Sequence, residues 1–343
     1  MKFHSAIYLL ITFNMATLQT LWTFDGGTTM EFYFRVNDNE TKQLSFDDVH
    51  TITTQHSWLN TSDFFTFTNK HDIRLHFTDH TIETVHFTCP NGKYTAEGFF
   101  FDRKSDTVIL CIPPFGAEAR HSIKFAGIFK DYDVLILEYK YSQTHKPISL
   151  SPSLFRPHAI KMFSNTIEQA FSWLAHRKTY RTIVAHGQCY GAWILLETQA
   201  NPHNKAFFNK IVLDSCPLSL HTIFDNAYNN PRGVLSLGKK KSLSIIRAIL
   251  NHIPFLKRLY NATVQALFTE ISAAALVKEV QVPILFVHGT DDYLVTPEQF
   301  EVLYSSVTHN DKSALITPFK HLYHGLKSKE LYHHYILDFI NKK

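Results

Sequence analysis

Cysteine is scarce in this chain: there are four in 343 residues, at positions 89, 111, 189 and 216, far apart and without a C-x-x-C pair. Such spacing supplies neither the ligand pairs of a zinc site nor the dense cross-links of a disulfide-stapled domain. Charge of one sign is equally short. Lysine and arginine (34) barely outnumber aspartate and glutamate (30), leaving a net charge of +4. The one dense basic run, Lys239-Lys240-Lys241, suits a solvated loop, so a nucleic-acid-binding surface is not expected. Histidine is plentiful at 21 residues, yet scattered. The close pairs His321/His324 and His333-His334 fit no recognised ligand spacing, and no metal site is expected from them. A long apolar run is also missing. The strongest, Ala6 to Phe13 behind Lys2, is too short to span a bilayer but has the size of a signal-peptide core, which points to a periplasmic or secreted protein. Cleavage near Ala16 would have only one small residue in place. The alternative is a buried first strand in a cytoplasmic protein.

What is present is enough apolar material for a core. At 45% hydrophobic residues, the chain can build one large α/β domain with an appendage. One stretch organises it: Thr182-Ile183-Val184-Ala185-His186-Gly187-Gln188-Cys189-Tyr190-Gly191-Ala192-Trp193-Ile194-Leu195-Leu196. A β-branched apolar run stops at a glycine, a nucleophile follows, and a second glycine opens an apolar run suited to a buried helix. This reads as strand, sharp turn, helix. Holding Cys189 at a strand end demands a tight turn in which side chains at 187 and 191 would collide with their neighbours. The helix N-terminus then favours negative charge on the sulfur and offers the Tyr190 N–H to an oxyanion. The plainer alternative is a small core residue in a glycine-rich turn.

Along the chain, residues 1–20 form the candidate signal peptide. Residues 21–80 alternate in short patches such as Glu31 to Val36 and Asp72 to Phe77, which argues for a β-rich N-terminal extension of antiparallel strands. From residue 81 to 343 the pattern changes. A hairpin (Thr84 to Thr88, Pro90-Asn91-Gly92, Tyr94 to Phe101) leads to the apolar strand Thr107 to Ile112 and its Pro113-Pro114-Phe115-Gly116 loop. Further strands are expected at Asp133 to Glu138, Lys210 to Asp214, Val282 to His288 and Ala314 to Thr317. Helices are expected near Ile123 to Phe129, after Pro157, and from Leu331 to Ile340. The insertion at about 217–280 is a candidate helical cap over the strand ends. Alternating strands and helices imply an α/β fold with a mainly parallel sheet covered on both faces.

This succession, with Gly187-Gln188-Cys189-Tyr190-Gly191 and then His288-Gly289-Thr290-Asp291-Asp292, resembles the α/β-hydrolase superfamily over about residues 80–343. The cysteine in place of the usual serine resembles the dienelactone hydrolase branch. The resemblance implies an order of nucleophile, acid and histidine. Its Gly-x-x-Asp turn favours Asp292 over Asp291 as the acid. Its His-Gly-apolar ending favours His324, followed by Gly325-Leu326, over His321 as the base. It also implies a second oxyanion donor after the Cys111 strand. Pro113 and Pro114 have no N–H, so Phe115 is preferred and Gly116 is the alternative.

The expected activity is that of an acyl hydrolase cleaving an ester, thioester or similar bond of a small-molecule substrate. It would work through a Cys-His-Asp triad and a covalent thioester. This chemistry requires no cofactor. The competing reading is a catalytically inactive binding protein on the same fold. Neither the substrate nor the oligomeric state follows from the sequence.

Overall fold

The structure is a computed structural model that describes residues 23–24, 28–29, 31–55, 82–88, 94–114, 122, 124–141, 157–205, 207–219, 222–223, 226, 272–322 and 324–342. In chain order the strands and helices are β1 (Thr23–Phe24), β2 (Thr28–Thr29), β3 (Phe32–Asn37), β4 (Glu40–Leu44), α1 (Phe46–Gln55), β5 (Ile82–Thr88), β6 (Tyr94–Phe101) and β7 (Thr107–Ile112). They continue with α2 (Lys124–Ile128), β8 (Asp133–Tyr141), α3 (Pro157–Arg177), β9 (Thr182–Gln188), α4 (Tyr190–Ala200), β10 (Lys210–Asp214) and α5 (Ala273–Glu279). The chain closes with β11 (Ile284–Gly289), α6 (Pro297–Ser305), β12 (Lys312–Thr317), α7 (His324–Lys327) and α8 (Lys329–Asn341). Apart from the small β1–β2 pair, the strands form one ten-stranded sheet in the order β4-β3-β12-β11-β10-β9-β7-β8-β6-β5.

The middle of that sheet, from β12 to β8, is parallel throughout. An antiparallel hairpin closes each edge, β5–β6 beside β8 and β3–β4 beside β12. The central strands explain their own placement. β7 and β11 are buried at every position, as strands apolar on both faces must be. Their side chains divide with period two. Val108, Leu110, Ile112, Ile211, Leu213, Ile284 and Phe286 pack with residues of α3 to α6 in one core. Ile109, Cys111, Val212, Leu285, Val287 and Leu315 pack with α2 and α8 in the other. The expected parallel sheet with helices on both faces is therefore what the chain builds.

Two helices carry most of the helical side of the first core. α3 contributes Phe163, Ile167, Ala170 and Leu174, the three-and-four spacing read from sequence. α4 is apolar on nearly every side, with Trp193, Leu195 and Leu196 at 1% exposure or less, and a helix apolar all round must lie inside. Truncating Leu195 to Ala would cost about 2–5 kcal/mol, and the loss would fall on the helix that supports the turn at Cys189.

The N-terminal extension departs from expectation in one respect. β3 and β4 are the antiparallel strands foreseen and they join the main sheet, but residues 46–55 form a helix. Its start is a reciprocal cap: the Asp48 N–H donates to Ser45 Oγ (3.1 Å), and the Ser45 N–H donates back to Asp48 Oδ2 (2.9 Å). That Ser-x-x-Asp pattern outweighs the local alternation. Val49 and Ile52 then pack with Phe32, Leu44 and Leu331. The hairpin is further tied to α6 by a bidentate Arg35–Glu301 pair (2.7 and 2.8 Å) and to α8 by Phe34 stacked on Tyr335.

Several expectations lie outside the described residues: the segment 1–20, the alternating patch 72–77, the turn 90–92, the loop at Phe115 and Gly116, the lysines at 239–241 and most of the span 217–280. Among the described residues, no helix is long and apolar enough to cross a membrane.

Candidate active site

The turn after β9 is drawn tight by backbone contacts on both sides. A Cβ on Gly187 would sit 2.6 Å from the Ala192 Cα, and one on Gly191 would sit 2.4 Å from the Pro113 carbonyl oxygen. Nothing larger than glycine fits either place without moving backbone. Between them Cys189 adopts φ 50°, ψ −117°, a conformation that costs a non-glycine residue on the order of 1–3 kcal/mol. The turn is held by the Cys189 N–H donating to the Asp214 carbonyl (2.8 Å). The Cys189 carbonyl accepts from the Ala192 and Trp193 N–H groups (3.0 and 3.2 Å). Strain kept in place by such a frame is typical of a functional turn.

Burial separates Cys189 from the other described cysteines. Cys111 and Cys216 are buried, and desolvation pushes both thiols up from their ordinary range, whereas Cys189 is partly exposed at the carboxyl edge of the sheet. Tyr190 opens α4 directly behind it, with its ring against Phe163 and Trp193. Its N–H lies in the first turn of α4, next to the thiol-bearing residue.

The carboxylate comes from the turn after β11. Asp292 is 2% exposed while Asp291 is exposed to solvent. Asp292 Oδ1 accepts from the Leu294 and Val295 N–H groups, both at 2.9 Å, and Oδ2 accepts from the Nδ1–H of His321 at 2.7 Å. Burial alone would raise the Asp292 pKa, but His321 and these hydrogen bonds hold it below its ordinary value. His321 shows the converse. Burial would lower its pKa, yet the neighbouring Cys189 and Asp292 raise it well above its ordinary value. Its Nε2 makes no hydrogen bond of good geometry, to sulfur or otherwise, yet Cys189 stands near enough to raise the ring's pKa. Thiol, imidazole and carboxylate thus lie in sequence across the sheet edge.

The preference for His324 over His321 does not match this geometry. His324 is fully buried, with Nδ1 2.6 Å from Thr317 Oγ1, Nε2 3.1 Å from Ser215 Oγ, and Asp214 Oδ1 3.7 Å from Nε2. The reason is a close approach at Gly289, where an added Cβ would lie 2.0 Å from the Phe319 carbonyl oxygen and 2.8 Å from His324 Cε1. The chain after β12 dips onto that glycine, turns at Leu322 with φ 60°, and enters α7 with residue 324 pointing inward. His321 is left on the side of Cys189. The His-Gly-apolar ending marks the end of the loop and says nothing of which ring faces the thiol.

Three further groups went unnoticed in the sequence. Asp214 ends β10 and Ser215 follows it, and Asp214 Oδ2 accepts from the Tyr332 hydroxyl (2.9 Å) and from Gln188 Nε2 (3.2 Å). His288, under Asp292, stacks on Phe300 at 4.6 Å, and its burial pushes its pKa down to about 4. It is therefore neutral at physiological pH. A polar pair ending an apolar strand, Asp214-Ser215, was the signal available for the first two. Among the described residues, no group of three or more His, Cys, Asp or Glu is set to hold a metal ion.

No curated protein matches the chain by sequence. Residues 250–343 match the model of the prolyl oligopeptidase family. Among solved structures, the esterase Pf2001 of Pyrococcus furiosus superposes with a TM-score of 0.55 at 16% identity, covering 77% of this chain and 91% of that one. The α/β hydrolase GrgF of Penicillium sp. sh18 gives 0.54 at 15% identity, covering 76% of this chain and 98% of its own. A thermostable carboxyl esterase of Bacillus coagulans gives 0.52 at 13%, covering 76% and 98%. At such identities the likeness is one of architecture, and the architecture is the α/β-hydrolase fold.

Proposed function

We propose that this protein is an acyl hydrolase in which Cys189 is the nucleophile, His321 the general base and acid, and Asp292 the carboxylate that orients the imidazole. The observation that carries this reading is the strained turn at Cys189 facing the His321–Asp292 pair. His321 accepts the thiol proton, and the sulfur attacks the acyl carbon of an ester or thioester. The raised pKa of His321 favours the protonated imidazole that this step creates, and Asp292 stabilises it. The tetrahedral oxyanion accepts from the Tyr190 N–H and, by the family resemblance, from an N–H of Phe115 or Gly116. His321 then returns the proton to the leaving oxygen or sulfur, and a thioester to Cys189 remains. Water, deprotonated by His321, attacks that thioester; the bond from the acyl carbon to Cys189 Sγ breaks, the acid leaves, and His321 returns the proton to the sulfur. Neutral His288 adds no competing positive charge beside the pair.

Esterase names among the structural neighbours agree with this class. The partial match to the prolyl oligopeptidase family is also with hydrolytic chemistry. A panel of p-nitrophenyl acyl esters and acyl thioesters, run on wild type and Cys189→Ala, tests the reading. The expected result is turnover by wild type, a burst of product with an acyl adduct on Cys189 by mass, and a loss on the order of 10³-fold or more in Cys189→Ala. No turnover and no adduct from any member would favour a binding protein on a hydrolase fold.

A further inference from the structure

Beneath the three reacting groups lies a cluster of buried polar side chains that the steps above do not use. Asp214, Ser215, Thr317 and His324 are each at most 1% exposed. The Ser215 hydroxyl is 3.3 Å from Asp214 Oδ1, and Ser215 Oγ also meets His324 Nε2 at 3.1 Å and the Leu322 N–H at 3.4 Å. A hydroxyl has one proton. If Ser215 directs it at Asp214, then His324 Nε2–H and Leu322 N–H donate to Ser215, and Thr317 Oγ1–H donates to His324 Nδ1. In that arrangement the ring carries its proton at Nε2 and accepts at Nδ1.

This cluster reaches each of the three segments that carry the reacting groups. It reaches the nucleophile turn because the Asp214 carbonyl accepts the Cys189 N–H, at 2.8 Å. It reaches the acid turn because the Thr317 carbonyl accepts the Thr290 N–H, at 2.8 Å. It reaches the histidine turn because Leu322, the residue after His321, donates its N–H to Ser215. Ser215 and Leu322 both hold positive φ, 52° and 60°, and backbone in that region persists only where surrounding bonds over-determine it.

We propose that His324 is a positioning residue: clamped between Thr317 and Ser215, it fixes the Ser215–Leu322 contact and so sets the distance from His321 to Cys189. The inference rests on His321 being the base of the proposed reaction, but one arm of its test needs no substrate. The rate of iodoacetamide labelling of Cys189 as a function of pH reports the thiol–imidazole pair directly. In His324→Leu, a folded protein is expected to lose about ten- to a hundred-fold in kcat, with KM nearly unchanged. Labelling should slow in step, its acid inflection moving to higher pH. His324→Gln, whose amide can still reach Ser215, should recover much of that loss. Ser215→Ala, which deletes the contact His324 acts through, should show a loss of the same kind and similar size. Wild-type labelling and kcat in folded His324→Leu would overturn the proposal. So would His324→Leu matching Cys189→Ala in severity while His321→Ala stays active, because His324 would then be the base itself. Should His324→Leu fail to fold, unchanged labelling in both His324→Gln and Ser215→Ala would overturn it equally. If no ester is hydrolysed, the labelling arm still decides this inference separately from the hydrolase reading.

Discussion

His321 and His324 stand three residues apart, and each meets a carboxylate at the carboxyl end of a parallel strand. Their surroundings differ. The His321 ring spends one nitrogen on Asp292 at 2.7 Å and keeps the other on the side of the thiol, with its side chain 8% exposed. The His324 ring spends both nitrogens on hydroxyl groups and is fully buried. The pairing of a histidine with a carboxylate is therefore a poor mark of a catalytic base. A nitrogen left over for the nucleophile is a better one, because a ring with both nitrogens satisfied has nowhere to put an incoming proton.

The sharpest way to break this contrast is to remove the rings one at a time. His321→Ala is expected to lower kcat, and the labelling rate of Cys189 near neutral pH, on the order of 10³-fold. His324→Ala should retain far more of both, and equal losses in the two variants would erase the distinction. Next in size is Asp292→Asn, which leaves the shape but lets the His321 ring take the wrong tautomer; turnover should drop by about 10²- to 10⁴-fold. The same variant carries a stability signature. The Asp292 pKa lies below its ordinary value of 3.8 in the folded protein, so its charged form stabilises the fold above that pH. That contribution is lost as pH falls through the lowered value. Urea midpoints of wild type should decline below about pH 3.8 by more than those of Asp292→Asn. His321 works in the opposite sense. Its pKa is raised from 6.5, so its contribution is complete below that pH and fades as pH rises through the folded value.

The smallest effect on chemistry is expected from Tyr332→Phe. Its hydroxyl donates to Asp214 Oδ2, not the oxygen that Ser215 meets, and lies 2.5 Å from His186 Nε2. Removing it leaves buried acceptor capacity unfilled, at a cost of about 1–3 kcal/mol in unfolding free energy. Labelling of Cys189 should hardly change. A large drop in labelling would show that the cluster transmits strain from its far end as well.

The turn at Cys189 could be read from a few residues because local geometry alone imposes it: two glycines stand where two backbones touch. The preference for Asp292 came from the Gly-x-x-Asp turn of the family resemblance, and in the fold two N–H groups turn back on that side chain. The sides taken by the rings of His321 and His324 were not legible, since they depend on Gly289, Phe319 and Ser215, which come from three different strand ends and meet only in the folded chain. α1 was missed for another reason. The alternation around it suited a strand, and the Ser45–Asp48 signal that outweighed it is four residues long.

The hairpin of β3 and β4 also bears on how far the N-terminus can be trimmed. Phe34 and its neighbours pair with Ala314, Leu315 and Ile316, so β12 has a partner on both sides. Proteolytic processing that stops before Glu31 leaves this arrangement whole. Processing that removes β3 would uncover a row of unsatisfied peptide groups on the strand leading into the His321 turn, and such a row invites one copy of the chain to adhere to the next.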